Sequence, residues 1–313
     1  MELAFYADPL ETFKVQKDST FAIMAEAVKR GHRIFSFCQH DMALDGNKVV
    51  ATVKRIELTG RENPDWFEIE QTEERELETF GAVIVRKDPP FDTEYINSTY
   101  LLELSERKGA RIFNRPAAIR SHNEKLTIAQ FPEFTVPTLV TADGERLRSF
   151  HAEYGDIILK PLDAMGGTGV FRVEKKGLNL GAIIEMLTDN GSRTVMAQKY
   201  IPEIADGDKR VLLVNGQVVP FALARIPQNG EVRGNLAAGG IGRAQPLSKR
   251  DREIAETLAP VLSGRGLFLV GLDIIGNWLT EVNVTSPTCF REIERQTGFN
   301  VAGLFMDELE KTV

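Results

Sequence analysis

Apolar residues fall in short runs broken by polar, Gly and Pro positions, and the spacing within each run assigns its element. Residues 3–7 read as an apolar strand that Asp8-Pro9 ends. Asp18, Ser19 and Thr20 offer N-caps to a helix over about 21–30, with Phe21, Met24, Ala25 and Val28 on one face and Gly31 at its stop. Residues 34–38 read as a second strand. Strand, capped helix and strand in succession predict a βαβ opening and hence a parallel sheet. The first turn lacks G-x-G-x-x-G, so no dinucleotide fingerprint is present. The acidic, polar stretch 60–78 predicts a surface loop. A strand at 82–86, a helix over about 93–108 and a strand at 111–113 predict a second βαβ unit. Asn114-Arg115-Pro116 closes this region, with a domain boundary near 120.

Beyond it the pattern changes to α+β. A helix is expected over 123–130, a strand at 136–141, a short helix to about 154 and a strand at 157–162. A strand at 195–201 precedes a hairpin of 210–215 and 217–226, which the Asn215-Gly216 turn signal joins. Residues 230–243 lack periodicity and read as a mobile loop. A helix at 249–264, strands at 268–275 and 279–284, and a helix to the C-terminus complete the prediction. The expectation is a parallel N-terminal domain, 1–120, followed by a two-lobed domain, 121–313, divided at about residue 200.

Composition narrows the function classes. The 313 residues contain 38 Lys plus Arg and 45 Asp plus Glu, a net charge of −7, with 42% hydrophobic residues. That mix is globular, and the acidic total argues against a nucleic-acid partner. Two cysteines, Cys38 and Cys289, cannot build a disulfide scaffold. No signal-peptide pattern and no apolar run of about 20 residues occurs, so a cytoplasmic protein without membrane contact is expected.

The densest polar constellation lies late in the chain. Glu281 and Asn283 share one strand face at i and i+2, and Asp273 on the preceding strand would add a third hard oxygen ligand suited to Mg²⁺. A three-residue loop, or an equivalent bulge, is needed to set Asp273 opposite Glu281. A polar strand face exposed to water explains the same spacing. Gly166, Gly167, Thr168 and Gly169 follow the strand carrying Lys160, and such a loop can close its N–H groups on phosphate. A plain hairpin tip explains the glycines equally well, whereas Lys160 within an apolar strand calls for an anionic partner. Gln198, Lys199, Tyr200 and Ile201 could present backbone groups to an adenine edge, although alone they read as an edge strand and nothing more. Arg86, Arg210, Arg225 and Arg233 suit carboxylate and phosphate recognition, although each taken singly reads more readily as a surface charge.

The order of these signals resembles the ATP-grasp ligases. The strings Arg86-Lys87-Asp88-Pro89-Pro90-Phe91-Asp92, Asn123-Glu124-Lys125, Ile158-Leu159-Lys160-Pro161-Leu162-Asp163, Asp206-Gly207-Asp208-Lys209-Arg210, 233–240 and Glu281-Val282-Asn283-Val284-Thr285-Ser286-Pro287 are similar to those of bacterial glutathione synthetases. The likeness runs over essentially the whole chain. It implies a pre-ATP-grasp domain followed by an ATP-grasp fold. It also implies ATP-dependent joining of γ-glutamylcysteine and glycine through an acyl phosphate. Lys125 and Lys160 would hold ATP phosphates under the loop Gly166 to Gly169, with adenine at Gln198 to Ile201 and ribose near Asp208. Asp273, Glu281 and Asn283 would hold two Mg²⁺, for which Mn²⁺ could substitute. Arg210, Arg225 and Arg233 would serve catalysis, and Arg86, Ser286, Thr288 and Arg291 would bind substrate. Residues 226–243 would form a lid, and the likeness implies a homotetramer. Another carboxylate–amine ligase and a non-catalytic nucleotide-binding regulator are the competing readings.

Overall fold

Asp18 accepts a hydrogen bond from the Phe21 N–H at 2.8 Å, so the first helix starts where the cap signal sets it. The computed structural model of the chain describes residues 1–228, 234 and 239–313. Strand β1 (Glu2–Tyr6), helix α1 (Ser19–Lys29) and strand β2 (Arg33–Phe37) form the expected parallel unit. Strands β3 (Met42–Asp45), β4 (Lys48–Leu58) and β5 (Phe67–Glu76) follow. Then come β6 (Ala82–Val85), α2 (Thr93–Arg107) and β7 (Ile112–Phe113). The sheet runs β3-β4-β2-β1-β6-β7, with β5 on β4. The β2-β1-β6-β7 half is parallel, whereas β3, β4 and β5 add an antiparallel flank.

That flank corrects the reading of 60–78 as a loop. Most of β5 is polar and at least partly exposed on both faces, so it lacks the period-2 apolar signal. Its ladder with the apolar β4 supplies the order that its own side chains do not advertise.

After α3 (Pro116–Ser121), the expected helix at 123–130 is only a 3-10 segment, Leu126–Gln130. Asn123 Oδ1 accepts from the N–H groups of Lys125 and Leu126 at 3.1 and 2.9 Å, which holds the chain in a tight turn. Strand β8 (Thr138–Thr141), α4 (Gly144–Tyr154) and β9 (Ile157–Pro161) follow, then β10 (Phe171–Val173), α5 (Leu180–Thr188) and β11 (Val195–Lys199). These strands form an antiparallel sheet, β10-β9-β11-β8; β10 and α5 were not expected.

The last sheet comes from β12 (Asp208–Val214), β13 (Gln217–Ile226), β14 (Ile241–Pro246), β15 (Leu269–Ile275) and β16 (Trp278–Asn283), with α6 (Lys249–Gly264) between β14 and β15. Its order is β14-β13-β12-β15-β16. Asn215 and Gly216 both take positive φ, +47° and +80°, as a tight hairpin turn requires. Strand β14 pairs with β13 and corrects the loop expected up to 243, while much of the expected lid, with Arg233, lies outside the described residues. The C-terminal helix is two helices, α7 (Phe290–Thr297) and α8 (Val301–Thr312), parted by Gly298 at φ +76°.

One apolar cluster joins Leu3, Phe5, Ile23 and Met24 of the first region to Phe290, Phe305 and Leu309 of the last. Buried Asn114 reinforces the joint: its amide donates to the Leu269 and Val284 carbonyls, and its Oδ1 accepts from the Leu269 N–H. The C-terminal sheet is thereby docked on the N-terminal one, which fixes where β15 and β16 present their polar residues. Among the described residues no helix is long and apolar enough to cross a membrane.

Candidate active site

The register of β15 against β16 decides whether the late acidic residues meet. Ile275 pairs with Trp278 around a two-residue turn, Gly276-Asn277, and a bulge then brings Asp273 opposite Glu281. The bulge allowed for above does the work of a longer loop, and both carboxylates end on one face. Thr280, at the irregularity, donates its hydroxyl to the Asp273 carbonyl at 3.1 Å.

Two linked cavities lie along this face. Lys125, Lys160, Gly166, Gly167, Thr168, Gln198, Lys199, Tyr200, Ile201, Asp208 and Glu281 line the first. Arg210, Arg225, Glu281, Asn283, Ser286 and Thr288 line the second, with Gly166 shared between them. Glu281 therefore stands at the junction. Its Oε1 is 3.0 Å from Lys125 Nζ, which also donates to the Ala164 carbonyl at the root of the Gly-rich loop. Among the described residues Lys160 reaches only the Thr280 carbonyl, at 3.5 Å. Burial pushes its pKa down to about 8, partly offset by Glu281, while Lys125 pushes the same way as burial.

The glycines of the loop are conformational necessities at two points. Gly169 has φ +71°, and a side chain there would meet Pro161 at 3.1 Å. Gly166, which lines both cavities, has φ +63° with open space beside it. At the other end, the Lys199 and Tyr200 N–H groups are committed to the Pro137 and Asp156 carbonyls, and the Ile201 carbonyl accepts from the Ile204 N–H. Arg172 stacks over the Tyr200 ring at 3.8 Å and forks onto Asp156, bracing that edge.

The second cavity holds the strongest charge pairing. Arg210 grips Asp273 through Nε and Nη2 at 2.5 and 3.1 Å, and Arg225 Nη2 reaches Asp273 Oδ2 at 2.8 Å. Arg225 also pairs with Asp208 Oδ2, whereas among the described residues Asp208 Oδ1 is buried with no partner. Burial raises the Asp208 carboxyl to about 6 despite Arg225. For Asp273 burial acts upward too, but Arg210 and Arg225 outweigh it and hold the carboxyl well below the usual range.

Asp273 is thus saturated by guanidinium groups, and its side chain is not open to the cleft. Among the described residues no group of three or more His, Cys, Asp or Glu forms a cage for a metal. Glu281 and Asn283 nevertheless present hard oxygen donors beside the space next to the Gly-rich loop. That incomplete set fits Mg²⁺ arriving with a nucleotide, since Mg²⁺ takes one or two carboxylates and completes its shell from phosphates and water.

Two expected substrate residues stand elsewhere. Arg86 is buried behind the cleft, donating to Thr20 Oγ1 and to the Pro287 carbonyl, each at 3.0 Å. It braces the turn at Pro287, and among the described residues its Nη1 is buried without a partner. Arg291 lies over the Phe21 ring at 5.4 Å. Burial pushes the Cys38 thiol up to about 11 and raises that of Cys289 also. Glu124, to which the sequence pattern assigns no role, also lines the second cavity; its adjacency to Lys125 is the available signal.

A nucleotide-sized cleft between two antiparallel sheets, with paired lysines, a Gly-rich loop and a carboxylate–amide strand, defines an ATP-grasp fold. Solved structures agree: the chain superposes on D-cycloserine synthetase DcsG with a TM-score of 0.70 at 16% identity, covering 100% of this chain and 99% of that one. It also matches the ATP-grasp ligase PsnB complexed with minimal precursor, Mg and ADP, at TM-score 0.63 and 20% identity over 99% and 97%. The chain belongs to the prokaryotic glutathione synthetase family, whose N-terminal domain model matches residues 1–120 and whose ATP-grasp domain model matches 124–298. It is 62% identical over 311 residues to the glutathione synthetase of Ralstonia nicotianae, covering 99% of this chain and 96% of that protein. With the glutathione synthetase of Nitrosomonas europaea the identity is 56% over 315 residues, covering 100% and 98%. The chain is accordingly an ATP-dependent ligase.

Proposed function

We propose that the chain joins the cysteine carboxylate of γ-glutamylcysteine to the amine of glycine, forming glutathione and releasing ADP and phosphate, through the residues described above. The observation that carries the reading is the junction at Glu281, where a lysine-lined nucleotide cavity meets an arginine-lined cavity. Lys125 and Lys160 hold the ATP phosphates beneath Gly166, Gly167, Thr168 and Gly169. Gln198 to Ile201 receive adenine, and Asp208 lies toward the ribose. Arg210 and Arg225 orient the acyl carboxylate and offset charge that develops on the transferred phosphoryl oxygens. Ser286 and Thr288 flank the peptide, with Arg86 fixing their turn through the Pro287 carbonyl.

The substrate carboxylate attacks the γ-phosphorus to give an acyl phosphate and ADP, and the glycine amine then displaces phosphate from the acyl carbon. Acyl phosphates hydrolyse in water, which is why a Gly-rich loop over the cleft serves the reaction. Glu281 and Asn283 would hold two Mg²⁺, or Mn²⁺ in their place, while Asp273, expected as a third ligand, is taken up by Arg210 and Arg225. A bound divalent ion supplies Lewis-acid charge to the phosphates. The division at about residue 120, a homotetrameric assembly and a cytoplasmic setting, where ATP is supplied and the two cysteines stay reduced, belong to the same reading. The test is ADP release by the purified protein: it should require γ-glutamylcysteine and glycine together. Equal release with unrelated carboxylate–amine pairs would overturn it.

A further inference from the structure

Glu124 has its two carboxylate oxygens in opposite situations. Oε1 accepts three hydrogen bonds, from the Val284 N–H at 2.8 Å, the Thr285 N–H at 3.0 Å and the Thr285 hydroxyl at 2.8 Å. Its backbone carbonyl accepts from the Val282 N–H at 2.8 Å, so main chain and side chain are both fastened to β16 and the turn after it. A carboxylate held this firmly has one position. Oε2 makes no hydrogen bond or ion pair among the described residues, and it is not sealed in, because Glu124 lines the arginine cavity beside Glu281, Asn283 and Ser286.

A half-satisfied carboxylate in a sheltered cleft is costly unless a cation meets its free oxygen. The nearby protein cations are committed elsewhere. Lys125 is paired with Glu281, and Arg210 and Arg225 are paired with Asp273 and Asp208. Arg86 is not part of this cavity's lining: its Nε and Nη2 go to Thr20 and Pro287, and its Nη1 is buried without a partner among the described residues. The missing cation therefore has to come from a ligand. Burial first, and the Glu281 carboxylate second, hold the Glu124 pKa above its ordinary value, as expected for an anion awaiting a positive partner.

We propose that Glu124 Oε2 is the seat of a substrate's primary ammonium group. The inference rests on the ligase reading above, which brings two such groups into the cleft: that of the acceptor amino acid and the α-ammonium of the dipeptide. In this role Glu124 fixes the orientation of a substrate, and its rigid mounting on β16 ties that substrate to the strand carrying Glu281 and Asn283.

Glu124→Gln is the decisive variant. Its amide oxygen still accepts the bonds from Val284 and Thr285, so only the charge at Oε2 is lost. The expected result is a KM increase of about 10- to 100-fold for one amine-bearing substrate, the worth of one charge-assisted hydrogen bond. The KM for ATP and the melting temperature should stay unchanged. A rise for glycine alone supports the seat and assigns it to the acceptor; a rise for γ-glutamylcysteine alone supports it and assigns it to the dipeptide. Unchanged values for both, or a parallel rise for ATP, overturn it. Should the variant fold poorly, the wild-type enzyme answers through inhibition by the deaminated counterpart of each substrate. One of the two should then bind about 10- to 100-fold more weakly than its parent, and undiminished binding of both overturns the proposal. Wild-type turnover that does not need both substrates would instead sink the ligase reading, so the two failures are distinct.

Discussion

Asp273 and Glu281 face each other across the β15–β16 ladder, yet their carboxylates answer to different cations. Asp273 is locked between Arg210 and Arg225 at 2% exposure, whereas Glu281 keeps one lysine partner and about a fifth of its side chain open to the cleft. One carboxylate is spent on holding the guanidinium groups in place, and the other is left to meet a ligand. The same face of one hairpin thus carries one carboxylate closed by guanidinium groups and one still partly open to the cleft.

Glu281→Gln should therefore separate activity from stability. The amide keeps the shape and a hydrogen bond from Lys125 but loses the anion offered to a nucleotide-bound cation. Turnover is expected to fall by about 10²-fold or more, with the melting temperature nearly unchanged. Activity against Mg²⁺ concentration and a thermal melt check this; near-normal turnover would remove Glu281 from the site.

Asp273→Asn should do the reverse in part. Arg210 and Arg225 would remain buried side by side with only Asp208 to balance them. Removing one member of a buried pair costs about 3–5 kcal/mol, so the denaturant midpoint should drop along with activity. Because the Asp273 carboxyl is held below its unfolded value, its contribution is present above about pH 4 and is lost as pH falls toward its folded pKa. The variant's deficit in chemical denaturation should accordingly narrow only in strong acid.

Features decided over short range were legible in the chain. The Asp18 cap, the Asn215-Gly216 turn and the Glu281-x-Asn283 face are local patterns, and each appears where its spacing sets it. Strand β5 was not legible, because its order comes from β4 and its own residues are polar on both faces. Arg86 shows the same limit at the site: its partner Pro287 lies 201 residues away, and nothing in its own neighbourhood announces that it braces a turn. Glu124 was visible as a residue but not as a role, since the uneven use of its two oxygens exists only after β16 has docked on it.

The buried pair behind the cleft offers a test of how the hairpin register is held. Lys209 alternates with Asp208 and Arg210 on β12 and projects to the opposite face, where it meets fully buried Asp251 and donates to the Gly276 carbonyl at 2.9 Å. Asp251 in turn exchanges capping hydrogen bonds with Ser248 at the start of α6. Lys209→Met should cost about 3 kcal/mol by stranding Asp251, and adding Asp251→Leu should recover part of that loss. Because the lysine also holds the β15–β16 turn, both variants should require more Mg²⁺ for half-maximal activity. Unchanged Mg²⁺ dependence in both would show that the turn holds its register unaided.

Lys160 should give the protein two opposite responses to alkali. Its folded pKa of about 8 lies below the unfolded value of 10.5, so between these limits the unfolded chain binds one more proton than the native one. Stability attributable to this group must then rise with pH across that window, as the cost of a buried ammonium is relieved. Nucleotide binding should move the other way, because the neutral amine no longer attracts phosphate. Metal-free ATP is expected to bind roughly eightfold more weakly at pH 9 than at pH 7.5, if the charged form alone binds. Lys160→Arg supplies the control, since a guanidinium stays charged throughout and should flatten the binding profile. Isothermal titration on both proteins across that range checks the assignment, and an equally steep profile in the arginine variant would move the titration to another group.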